Sequence, residues 1–168
     1  MDYINIKDYA KYIIYFFNSR GSLITNKKLQ KLLYYSQAWH LVYFDENPLF
    51  EEVPEAWVHG AVYPSVYQQY KKFRAKPIVF DNQLKREELD KLFDSFGFNP
   101  DQKEFIDSVL LTYGKKEAFE LEILNHREKP WLEAREGLEY FDISSRPISL
   151  KTMCNYYKEI LTSSQNVL

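Results

Sequence analysis

The stretch from Thr25 to Phe44, TNKKLQKLLYYSQAWHLVYF, constrains this chain more than any other. Its apolar residues Leu29, Leu32, Leu33, Tyr35, Ala38, Trp39, Val42 and Tyr43 recur at helical spacing and cover more than one stripe. Thr25 or Asn26 can cap the start, each offering a side-chain oxygen to a free backbone N–H. A helix that is apolar over so much of its circumference belongs at the centre of a fold. The remaining segments must therefore pack around it.

Those segments read mostly as helices. Residues 5 to 18 carry Ile6, Tyr9, Ala10, Ile13, Ile14 and Phe17 on one face, and Gly21 supplies the left-handed turn that stops them. Acidic residues with Pro48 and Pro54 predict a loop from 45 to 55. A short strand follows over Ala56 to His59 and ends at Gly60, and Pro64 opens a helix reaching Arg74. The stretch 76 to 80 reads as a loop with at most a short strand. Further helices are predicted over 85–95, from Asn99-Pro100 to a break at Gly114, over 116–125, briefly over 130–135, and from the cap Ser149 to Ile160. Residues 141 to 148 lack a helical period and can pair as a strand, and 162 to 168 read as a loose tail. The expectation is a mainly α fold: one compact multi-helix domain over 1–168, its core within about 5–160, with a small two- or three-stranded sheet.

Charge and composition narrow the function. A net charge of −2 argues against sequence-independent binding to nucleic acid, which needs a strong excess of cations. The basic run Lys71-Lys72-Phe73-Arg74-Ala75-Lys76 reads as a complement to a helix dipole, and Lys27, Lys28 and Lys31 as solvated. A single cysteine, Cys154, rules out an intrachain disulfide or a cysteine zinc cage. With no apolar run of membrane-spanning length, this predicts a soluble protein of the reducing cytoplasm. His40, His59 and His126 have no metal-site spacing, no nucleophile elbow occurs, and the five glycines are scattered singly. No catalytic centre, metal or cofactor is expected.

Two stretches exceed what core packing needs. EAWVHGAVYPSVYQQY (55–70) and LEILNHREKPWLEAR (121–135) each combine a tryptophan, a histidine and a proline-set turn. Such residues either hold a loop through buried hydrogen bonds or anchor a partner, since Trp, Tyr and Arg are enriched at interface hot spots.

With LQKLLYYSQAWHL (29–41), these stretches resemble the Panacea domain of SocA-like and GepA-type phage-associated proteins. ISLKTMCNYY (148–157) is similar to the family's final strand-to-helix join, so the resemblance spans about residues 5 to 160. Matching positions are Leu29, Gln30, Lys31, Leu32, Tyr34, Tyr35, Gln37 and Trp39; Ala56, Trp57, Gly60, Val62, Pro64, Val66 and Tyr67; and His126, Pro130, Trp131, Ala134 and Arg135. Ala61 departs from the proline usual after this glycine, which implies a looser turn and an altered partner specificity.

The resemblance implies a non-enzymatic antitoxin. It would neutralise a cognate protein toxin encoded by an adjacent gene through direct binding, one proposed mode being delivery to a host protease. The residues singled out for motif or partner roles are Gln37, Trp39, Trp57, His59, Gly60, Tyr63, Pro64, Tyr67, His126, Pro130, Trp131 and Arg135. Two alternatives stand beside it. One is a phage-encoded adaptor that redirects a host protein. The other is a hydrolase or transferase using His59 and His126 with Glu55 or Glu133 as acid and base, which requires both histidines in one pocket beside a carboxylate.

Overall fold

The computed structural model describes residues 3 to 82 and 84 to 165. Helix α1 (Ile6–Asn18) starts where the Asn5 side chain accepts hydrogen bonds from the backbone N–H groups of Lys7 and Asp8. Helix α2 (Asn26–Tyr43) starts where Thr25 Oγ1 accepts from Lys28 N at 3.2 Å. The other helices are α3 (Pro64–Tyr70), continued by a 3-10 turn over Lys71–Phe73, α4 (Arg86–Asp94), α5 (Pro100–Gly114), α6 (Ala118–His126), α7 (Lys129–Ala134) and α8 (Leu150–Gln165).

The expected central helix is α2. It packs against α1, α3, α5, α6, α8 and the sheet. Its buried set holds Leu29, Leu32, Leu33, Tyr34, Tyr35, Ala38 and Leu41, and with them the polar Gln30, Lys31, Ser36, Gln37 and His40. Lys28 and Lys31, expected to face water, are 7% and 1% exposed. The reason is α2's position: a helix enclosed on nearly every side leaves little solvated surface, and of the three lysines only Lys27 keeps a partly exposed side chain. The buried cations must then find carbonyls, as Lys28 Nζ does at Gly114 O, 2.7 Å away.

The sheet is a hairpin of β1 (Glu55–Trp57) and β2 (Gly60–Val62), antiparallel in the register Glu55↔Val62, Ala56↔Ala61, Trp57↔Gly60. Gly60 does not end a strand as expected; at φ +99° it opens the second one, after a two-residue turn of Val58 and His59. The stretch 141–148 contributes less than a strand. Pro147 forms one bridge to Glu55, flanked by Ala56 N donating to Arg146 O at 2.9 Å and Ile148 N to Pro54 O at 2.7 Å. Proline has no N–H with which to extend a ladder. Pro77 bridges Thr25 in the same isolated way. Helix α8 passes Ile160, so 162 to 165 are helical rather than a loose tail; 166 to 168 lie outside the described residues. Among the described residues no helix is long and apolar enough to cross a membrane.

Candidate functional site

A two-stranded hairpin presents unpaired backbone groups along both outer edges, and at Ala56 and Ala61 buried side chains satisfy three of the four. On the β2 edge, Ala61 N donates to Asn125 Oδ1 at 2.6 Å and Ala61 O accepts from Lys31 Nζ at 3.0 Å. Asn125 and Lys31 thus stand in for a neighbouring strand. On the β1 edge, Ala56 O accepts from Arg135 Nη1 at 3.0 Å, while Ala56 N reaches Arg146 O. One residue past β2, Tyr63 N donates to Gln30 Oε1 at 2.9 Å; Gln30 Nε2 donates to Asn26 Oδ1, and Asn26 Nδ2 to Tyr67 O. Gly60 sits where this network leaves no room. A Cβ there would lie 2.6 Å from Asn125 Oδ1 and 2.7 Å from Lys31 Nζ.

The departure at Ala61 has a structural meaning. A proline there could not donate to Asn125, so in this chain a hydrogen bond replaces the ring as the restraint. The turn is held, not loosened.

The α6–α7 segment supports the hairpin from below. Trp131 Nε1 donates to Trp57 O at 2.9 Å, and the Arg135 guanidinium lies 5.1 Å from the Trp131 ring centroid. Arg135, 5% exposed, also donates through Nη2 to the carbonyls of Glu139, Tyr140 and Asp142 at 3.1, 3.1 and 2.8 Å. His126 packs on Trp131 with ring centroids 4.3 Å apart, and burial holds its pKa below the ordinary value. Glu128, buried at the start of α7, accepts from the Tyr35 and Tyr157 hydroxyls. Burial pushes its carboxyl up to about 8, against the lowering effect of its hydrogen bonds. Lys31 moves the other way: burial brings its amine down to about 7, although Glu122 favours the charged form.

Above this scaffold lies an open cavity of about 910 Å³. Trp57 and Tyr67, edge to face at 4.9 Å between centroids, form one side with Val62. Phe119 and Ile143 line the cavity too, 67% and 96% exposed. At the rim, Glu122 accepts from His59 Nδ1 at 2.8 Å and pairs with Lys27. Burial raises the Glu122 pKa, but the bonds from Lys27 and His59 outweigh it and keep the carboxyl below the usual range. Trp57 Nε1 donates to Glu55 Oε2 at 2.7 Å.

The residues anticipated from sequence fall into three groups. Trp57, His59 and Tyr67 line the cavity. Gly60, Tyr63, Pro64, His126, Pro130, Trp131 and Arg135 belong to the hairpin, its exit and its support, and Tyr63 is fully buried. Gln37 and Trp39 lie apart from both: Gln37 Oε1 accepts from Leu49 N and Phe50 N, and Trp39 Nε1 donates to Tyr113 OH at 2.7 Å. The acid–base alternative does not find its partners. The carboxylate at His59 is Glu122, whereas Glu55 engages Trp57 and Glu133 accepts from Thr152 Oγ1. Sequence reasoning missed Glu122, Phe119 and Ile143, which are distant in the chain and carry no local pattern.

The fold is thus a helical domain built on a side-chain-capped hairpin. The chain belongs to the Antitoxin SocA-like, Panacea domain family, whose model matches residues 29–132. Among curated proteins it is similar to Antitoxin SocA of Caulobacter vibrioides (strain NA1000 / CB15N), 36% identical over 112 residues. That match covers 64% of this chain and 58% of the relative, so the chain spans little more than half the relative's length. No solved structure matches.

Proposed function

We propose that this chain is an antitoxin that neutralises a protein toxin encoded by an adjacent gene, by direct binding in the cytoplasm and without catalysis of its own. The family membership supports the class. The observation that carries the mode is the cavity of about 910 Å³, lined by Trp57 and Val62 of a hairpin whose backbone is pinned by Asn125, Lys31 and Arg135, and by Tyr67, Phe119 and Ile143 from the segments around it. A rigid, preformed surface loses little entropy on association. Co-expression tests the reading: the adjacent open reading frame should arrest growth alone and be harmless with this chain, and the two products should co-purify. Rescue without co-purification would remove direct binding. Delivery of the toxin to a host protease is an extension of the same reading. It requires the toxin's half-life to fall when this chain is present.

A further inference from the structure

Lys71, Lys72, Arg74 and Lys76 follow α3 beside the cavity, and all four are exposed. The ion pairs of the described residues join Lys27 and His59 to Glu122 and Lys158 to Glu46, so none of these four cations is matched by a carboxylate. Lys71 and Lys72 lie at the C-terminal end of α3, where cations complement the helix dipole. Arg74 needs another reason. Its backbone sits at φ +53°, ψ −123°, where a side chain is disfavoured and glycine is the easy choice. Arg74, alone of the four, lines the cavity, together with the exposed Phe119 and Ile143.

A surface that is apolar within and carries an unpaired cation at Arg74, with further cations along the same segment, is complementary to a polypeptide carrying large apolar side chains beside carboxylates. We propose that the cavity holds such an acidic, apolar-studded segment of the partner protein, with Arg74 meeting a carboxylate and Phe119 and Ile143 covering an apolar side chain. This rests on the antitoxin reading and names the chemistry of the segment bound. Nucleic acid is the poorer occupant. Glu55 lines the same cavity and the chain's net charge is −2, whereas binding to a phosphate backbone needs a continuous excess of cations.

Selection of a random peptide library against the purified full chain tests this. The recovered peptides should pair Asp or Glu with Trp, Phe, Leu or Ile. Their affinity should fall by about tenfold or more in Arg74→Glu and in Phe119→Glu. Both positions are exposed, so the melting temperature should hold, and Leu111→Glu on α5 should leave binding intact. The proposal is overturned if no peptide is enriched, if the enriched peptides lack acidic residues, or if Arg74→Glu binds them as well as the parent. Tighter binding of a single-stranded oligonucleotide at physiological salt would also overturn it. In co-expression the two readings separate. Rescue that survives both substitutions undiminished removes the cavity as the site and leaves the antitoxin, whereas no rescue by the parent chain removes the antitoxin.

Discussion

Lys31 and Glu128 are ionisable side chains sealed inside the protein, and burial drives them toward neutrality from opposite sides. Their linkage to stability therefore has opposite signs. Glu128 has a raised folded pKa, so its contribution is complete below the ordinary carboxyl value and is lost as pH rises through about 8. Lys31 has a lowered folded pKa, so its contribution is lost as pH falls through about 7 and grows as pH rises toward the ordinary lysine value. Denaturant titrations across pH should show stability falling on the acid side of neutrality and recovering on the alkaline side, each limb no steeper than about 1.4 kcal/mol per pH unit for one proton. Glu128→Gln should flatten the falling limb and Lys31→Met the rising one. Unchanged limbs in both would mean that neither group titrates as burial requires. Gly60→Ala should cost about 2 kcal/mol or more, because the new Cβ meets Asn125 and Lys31 and the positive φ is strained. Arg74→Gly should act oppositely, raising stability by about 1 kcal/mol while weakening the partner complex.

At the level of elements, the hairpin shows where sequence reading stops. Caps and turns are local, so Thr25 and Asn99 announce the starts of α2 and α5 that the structure confirms. The second strand was missed because Gly60-Ala61-Val62 is too short to carry a period, and its pairing partner is a matter of register. Its edges are invisible for a related reason. Lys31 and Asn125, 94 residues apart in number, cap one strand only once α2 and α6 have packed beside it. Arg135 does similar work for residues 139–142, binding three of their carbonyls from one buried guanidinium. Its fork spans two sites, Nη1 holding Ala56 O while Nη2 holds those three carbonyls, and a single lysine ammonium cannot reach both. Arg135→Lys should therefore speed amide hydrogen exchange in the 139–146 segment and cost about 1–3 kcal/mol. Exchange that stays slow there would show that the segment is held by something else.

For the whole molecule, α2 is the organising fact, and it was legible because a helix apolar on several sides admits one location. What it could not announce is that Lys28, Lys31, Gln30 and Gln37 are buried too, since polar residues on such a helix look solvated until the other elements close around it. The candidate site was legible in part. Trp57, His59 and Tyr67 stood out as a cluster, but Phe119, Ile143 and Glu122 join them only through the packing of α6 and the loop before α8. The central claim is that this surface binds a protein toxin, and co-expression with the adjacent open reading frame measures it most directly. The account predicts growth rescue by the parent chain, co-purification of the pair, and loss of both in Arg74→Glu and Phe119→Glu chains that remain folded. An adjacent product that is harmless alone, or rescue by this chain without any complex, would contradict it.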